Sequence, residues 1–156
     1  MNEKNRILKT LSDLYDGQPW TDISILQIIK DITATQAAAK PLSGMHSIWE
    51  YLNHMIHWRT RISRVILGQP AERKDDPLDF APIVDSSEES WELMLKTLQS
   101  CQEELVKAVS GVVDDKLETV DERFKATYYE LIQGVIQHDA YHLGQAIIVK
   151  KKITQS

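Results

Sequence analysis

With 156 residues, 42% of them hydrophobic and 26% charged, the chain has the size and composition of one ordinary folded domain, which excludes a disordered tract or a fibrous repeat. A net charge of -5 is the wrong sign for general binding to a phosphate backbone, so no nucleic-acid partner is expected. No apolar run approaches the roughly 18 residues needed to span a bilayer and the start, MNEKNRILKT, is too polar for a signal peptide, so a cytoplasmic protein without membrane contact is expected.

Strand signals are scarce, since no period-2 run bounded by Asn-Gly or Asp-Gly turns occurs. The first helix is predicted over Lys4 to Tyr15, with Ile7, Leu8, Leu11 and Leu14 on one face and Gly17 as its stop. Two short helices follow, Ile23 to Ile32 and Thr33 to Ala39, the second closed by Pro41. A long helix is predicted from Met45 to Leu67, ended by Gly68 and Pro70, with Ile48, Tyr51, Met55, Trp58, Ile62, Val65 and Ile66 at spacings of three and four. His46 stands at its start and reads as part of a cap.

The stretch from Gln69 to Ser87 holds three prolines and several charges and reads as a loop crossing between helices. A third long helix starts at Ser87 or Glu88, turns Trp91, Leu95, Leu98, Leu105 and Val109 inward, and frays near Gly111. Cys101, the single cysteine, has no pairing partner and reads as a structural helix residue. Asp114 to Lys125 is a loop or short extended piece, and the last helix runs from about Thr127 to Val149, with Lys150 to Lys152 suited to its C-terminal dipole. Long helices, one long crossover and no strands make the fold all-α, a four-helix bundle formed by a single domain over 1–156.

The inward seam of the last helix is Leu131, Val135, His138, His142, Gln145 and Val149, stepping alternately by four and three as bundle core positions do. It therefore aims His138 and His142 at the interior, one turn apart on one face. Two buried imidazoles side by side are hard to satisfy with apolar neighbours, and a divalent metal ion would resolve the conflict. A third ligand must come from elsewhere, and Asn53-His54-Met55-Ile56-His57-Trp58 on the second long helix offers His54 or His57. Three neutral imidazoles leave coordination positions open, as catalytic rather than structural sites do. Such donors suit Zn, Ni, Cu and Fe alike. Asp139 points to another face and reads as solvated, Tyr141 either lines the site or simply packs, and Gln145 either bonds a metal-bound water or a ligand imidazole or is only a polar seam residue.

Two phrases, His46-Ser47-Ile48-Trp49-Glu50-Tyr51-Leu52-Asn53-His54 followed by His57-Trp58-Arg59, and His138-Asp139-Ala140-Tyr141-His142-Leu143-Gly144-Gln145, resemble the DinB-like (DinB/YfiT) four-helix bundle family. Gly17-Gln18-Pro19-Trp20 and Thr35 to Pro41 resemble its first connecting segment. The resemblance implies an up-up-down-down helix order, homodimers, and a divalent metal such as Zn, Ni or Fe held by His54, His138 and His142. It leaves His57, where the family often has a small residue, as a second-layer or substrate-facing group. Its members with assigned activities include transferases and isomerases that use bacillithiol or a similar low-molecular-weight thiol, and some hydrolases. The expected function is a metal-dependent thiol transferase or hydrolase acting on a small molecule, with His57, Tyr141 and Gln145 as candidate catalytic residues. The contrasting class is a non-enzymatic, stress-related dimeric bundle whose metal is structural. His54 also lies one turn from both Tyr51 and Trp58, whereas His57 has Asn53 and Arg61 as its neighbours one turn away, a more polar surrounding.

Overall fold

The computed structural model describes residues 2–71 and 79–155, so part of the predicted crossing loop, 72–78, lies outside the described residues. Six α-helices carry the fold: α1 (Glu3–Tyr15), α2 (Ile25–Ile29), α3 (Ala34–Ala38), α4 (Ile48–Ile66), α5 (Glu88–Gly111) and α6 (Tyr128–Thr154). A 3-10 turn at Asp114–Lys116 precedes two-residue strands β1 (Val120–Asp121) and β2 (Ala126–Thr127), which pair antiparallel with Val120 opposite Thr127. These strands are too short to leave a period-2 trace, and they are the one departure from the strand-free expectation among the described residues.

Side-chain caps set where the helices begin. Ser47 Oγ accepts from the Glu50 backbone N–H at 3.1 Å and Glu50 Oε2 accepts from Ser47 N–H at 2.9 Å, a reciprocal box that satisfies two orphan donors. It moves the start of α4 from the predicted Met45 to Ile48, and makes Ser47, not His46, the cap. The same box joins Thr127 and Glu130 at the start of α6. That helix runs to Thr154, past the predicted end at Val149. Lys150 does not serve its own helix terminus: Nζ donates to the carbonyls of Ile28 at 2.8 Å and Lys30 at 3.0 Å, closing the end of α2.

The four long helices α1, α4, α5 and α6 form the bundle, with α4 packed against both α5 and α6, and α1 closing the square against the same two. Ile48, Tyr51, Met55, Ile62 and Val65 of the predicted stripe are buried, as are Trp91, Leu98, Leu105 and Val109 of α5. The order of directions corrects the up-up-down-down expectation. Trp49 packs on Trp91 with ring centres 5.0 Å apart, and Arg59 meets Gln102, so α4 and α5 run parallel. Lys4 near the start of α1 bonds the Ser110 carbonyl near the end of α5, and Tyr51 lies against His142, so α1 opposes α5 and α6 opposes α4. The result is up, down, down, up. The long connection between Ile66 and Glu88 can return the chain over the length of α4, which lets consecutive helices run parallel.

One buried polar network crosses this core. Arg59 and Asp139 are both 0% exposed, and Arg59 Nε donates to Asp139 Oδ2 at 2.6 Å. The guanidinium also donates through Nη1 to Gln102 Oε1 and lies 5.7 Å from the centre of the Tyr15 ring. All four long helices contribute. This overturns the expectation that Asp139 is solvated: α6 packs against both α1 and α4, so the side of the helix carrying Asp139 is inside, opposite a cation eighty residues away in sequence. Cys101 lies buried in the same region with Sγ 3.1 Å from the Leu98 carbonyl, and burial pushes its thiol up to about 12, as befits a structural residue.

Removing one partner of a buried ion pair leaves the other charge uncompensated. Asp139→Ala is therefore expected to lower the urea unfolding free energy by about 3–5 kcal/mol, and the double variant Arg59→Met/Asp139→Leu by less than the single one. A loss below about 1 kcal/mol for Asp139→Ala would contradict this placement of the pair.

Candidate metal centre

Because α4 and α6 run antiparallel, His54 on α4 faces the two histidines one turn apart on α6. Ring centres lie 4.6 Å apart for His54 and His138, 4.5 Å for His54 and His142, and 4.5 Å for His138 and His142. One nitrogen from each lies within 4.8 Å of the others, and among the described residues this group has no fourth member. His54 and His142 are buried and His138 is half-buried. The structure thus brings together the three residues that the sequence places at inward positions, and its donor set fits a divalent ion.

The outer nitrogens explain how the rings are held. His54 Nδ1–H donates to Asp79 Oδ1, and His142 Nδ1–H donates to Gln145 Oε1 at 2.7 Å. His138 Nδ1 lies 3.4 Å from Asp139 Oδ1, the second oxygen of the carboxylate that binds Arg59. For His54 and His142 the oxygen acceptor on Nδ1 assigns the proton there and leaves a lone pair on Nε2. The Nε2 atoms of His54 and His138 stand 2.8 Å apart. That distance suits an N–H···N hydrogen bond from His138 to His54 in the metal-free site, and a divalent ion would replace the shared proton. Burial, with the neighbouring imidazoles adding to it, holds His54 down to about 4 and also lowers His142, so both are neutral and metal-competent at neutral pH.

Asp79 and Phe80 are the residues that sequence reasoning missed. Phe80 stacks between His46 and His54, with ring centres 4.0 and 3.8 Å away and interplanar angles of 14° on both sides. Its φ of 67° places a bulky residue in the left-handed region, a strained conformation held by that sandwich. Both residues belong to the loop connection, where no periodicity marks a residue as facing the site. His46 thus forms an outer wall of the site, its Nδ1 3.4 Å from Glu50 Oε2.

The other candidates are sorted by the fold. Gln145 Oε1 accepts from the His142 ring at 2.7 Å. Tyr141 is 65% exposed and meets the edge of His142 with ring centres 4.9 Å apart. His57 is not brought into the three-histidine group; its ring meets Trp58 edge-on at 6.2 Å. Beside His138 opens a cleft of about 240 Å³ walled by Trp58 and Ile62 of α4, Phe124, and Leu131 and Val135 of α6.

The model of the DinB superfamily matches residues 24–146, a span that contains all three histidines. No curated protein matches the chain. Among solved structures the chain is similar to one described as the crystal structure of the conserved protein of locus from Enterococcus faecalis, with a TM-score of 0.78 over 100% of this chain and 99% of that one. At 12% identity that likeness speaks for the fold alone. No helix among the described residues is long and apolar enough to cross a membrane. With the family model covering most of the chain and the bundle and histidine group in place, the chain belongs to the DinB superfamily.

Proposed function

We propose that this protein is a divalent-metal-dependent enzyme, with His54, His138 and His142 as the metal ligands, that transfers a low-molecular-weight thiol of the bacillithiol type to an electrophilic small molecule. The observation that carries the metal assignment is that one nitrogen of each of the three histidines lies within 4.8 Å of the others, with the His54 and His142 rings oriented by oxygens on Nδ1. The thiol assignment rests on the resemblance of the two histidine phrases. A divalent ion held there supplies Lewis-acid chemistry, lowering the pKa of a thiol, or of water in the hydrolase version of the same site.

The chain's own residues do the rest. Asp79 and Gln145 fix the ring orientations of His54 and His142, while Asp139 ties His138 to the buried Arg59. Phe80 covers the site on one side and excludes water from the rings it stacks on. Tyr141, exposed beside His142, is placed to orient a substrate at the mouth. His57, half-buried on α4 beside Trp58, holds no metal.

His138→Ala and His142→Ala are each expected to remove most of the bound metal while leaving the circular-dichroism helix signal nearly unchanged, because the apolar core remains. His54→Ala should weaken metal binding by at least about tenfold and Asp79→Ala by about 10–100-fold, with His57→Ala close to wild type. Full occupancy in His138→Ala or His142→Ala, or loss of metal in His57→Ala with retention in His54→Ala, would overturn the ligand set. An open site must also accept a thiol: the visible spectrum of the cobalt-loaded protein should shift on adding one, and an unchanged spectrum would favour a closed, structural site.

The proposal includes a homodimer. What supports it, besides the resemblance, is the exposure of large apolar side chains, with Trp20 at 100% and Val84 at 96%. Sedimentation should give a species of about twice 17.9 kDa at micromolar concentration; a single species of 17.9 kDa would refute the dimer.

A further inference from the structure

Gly134 stands in the second turn of α6, one turn before His138, and is exposed. Glycine at an exposed helix interior destabilises the helix relative to alanine. Nothing in the packing asks for it, since a Cβ built there meets no atom within 4 Å. What a larger side chain would meet is the space of the cleft, which Gly134 lines together with His138.

The chemistry of that cleft is apolar. Trp58 and Phe124 form two of its walls, and the Arg61 guanidinium lies 4.9 Å from the first ring centre and 4.8 Å from the second, bracing both. Ile62, Leu131 and Val135 supply aliphatic surface. Two titratable side chains line it, His138 and Glu130, and Glu130 Oε2 is already taken by the Thr127 N–H at 2.7 Å and the Thr127 hydroxyl at 3.0 Å. At about 240 Å³ the volume exceeds the roughly 150 Å³ that admits a benzene ring.

We infer that this cleft is the subsite for an apolar group, an aryl ring or branched alkyl chain, of the small molecule handled at the three-histidine site, and that Gly134 is the specificity-determining residue that keeps it open. The inference rests on the proposed metal site, which shares His138 with the cleft. Selection at this subsite is by size and hydrophobicity.

The test compares two thiols that differ in the apolar appendage, ethanethiol and phenylmethanethiol, titrated into the cobalt-loaded protein and followed by its visible spectrum. Wild type should bind phenylmethanethiol at least about tenfold more tightly, because only its ring reaches the cleft. In Gly134→Leu that ratio should fall to within about twofold, while the melting temperature stays at or above wild type because a glycine has left a helix interior. Gly134→Ala, which adds only a methyl group, should keep most of the ratio. Equal affinities in wild type, or an undiminished ratio in Gly134→Leu, overturn the subsite alone. If neither thiol perturbs the wild-type spectrum, the thiol chemistry falls and the subsite with it.

Discussion

The contact between Arg59 and Asp139 organises both the bundle and the site. A charged pair with no solvent exposure is unfavourable to bury, and the desolvation of both ions is offset only where their geometry is good and their remaining donors and acceptors are occupied. Here one carboxylate faces both ways. Its Oδ2 accepts from Arg59 and its Oδ1 turns to His138, while the guanidinium reaches Gln102 on α5 and lies over Tyr15 on α1. Arg59 Nη2 has no hydrogen-bond partner among the described residues, but misplacing α4, α5 or α6 would strand further buried polar groups, so the pair favours one arrangement of apolar helices that could otherwise slide past one another.

The same constraint reaches the three histidines. Hydrogen bonds on the outer nitrogens decide which inner nitrogens are free, and they come from three different places: α6 itself through Gln145, the buried network through Asp139, and the connection before α5 through Asp79. Phe80 holds that last segment by stacking between two imidazoles in a backbone conformation that costs on the order of 1–3 kcal/mol. Such strain persists where the surroundings over-determine it, and the rings on either side of Phe80 do so. Tyr141, exposed beside His142, and the cleft beside Trp58 and His138 flank the three histidines.

Much of this was legible in the sequence because helices announce themselves locally. The stripe from Ile48 to Val65 and the seam from Leu131 to Val149 repeat every three or four residues, which yields both the helices and their inward faces, and the histidines fall on those faces. His54 was separable from His57 by its neighbours one turn away, Tyr51 and Trp58. A Ser-x-x-Glu cap accounts for the start of α4, which periodicity places three residues early. What stayed hidden depends on contacts between distant segments. Asp139 looked solvated because its cation lies on another helix, and Asp79 and Phe80 sit in a connection without periodicity. The helix directions also stayed hidden, since spacing along one helix says nothing of how it runs against another.

The most direct test of the central claim, that outer hydrogen bonds present three Nε2 atoms to one ion, is anomalous diffraction at the metal absorption edge from crystals grown with a divalent metal. A single strong peak is expected about 2.0–2.1 Å from Nε2 of His54, His138 and His142, with Nδ1 of His54 still bonded to Asp79. A peak bound through any Nδ1, or one coordinated by His57 in place of His54, would contradict it.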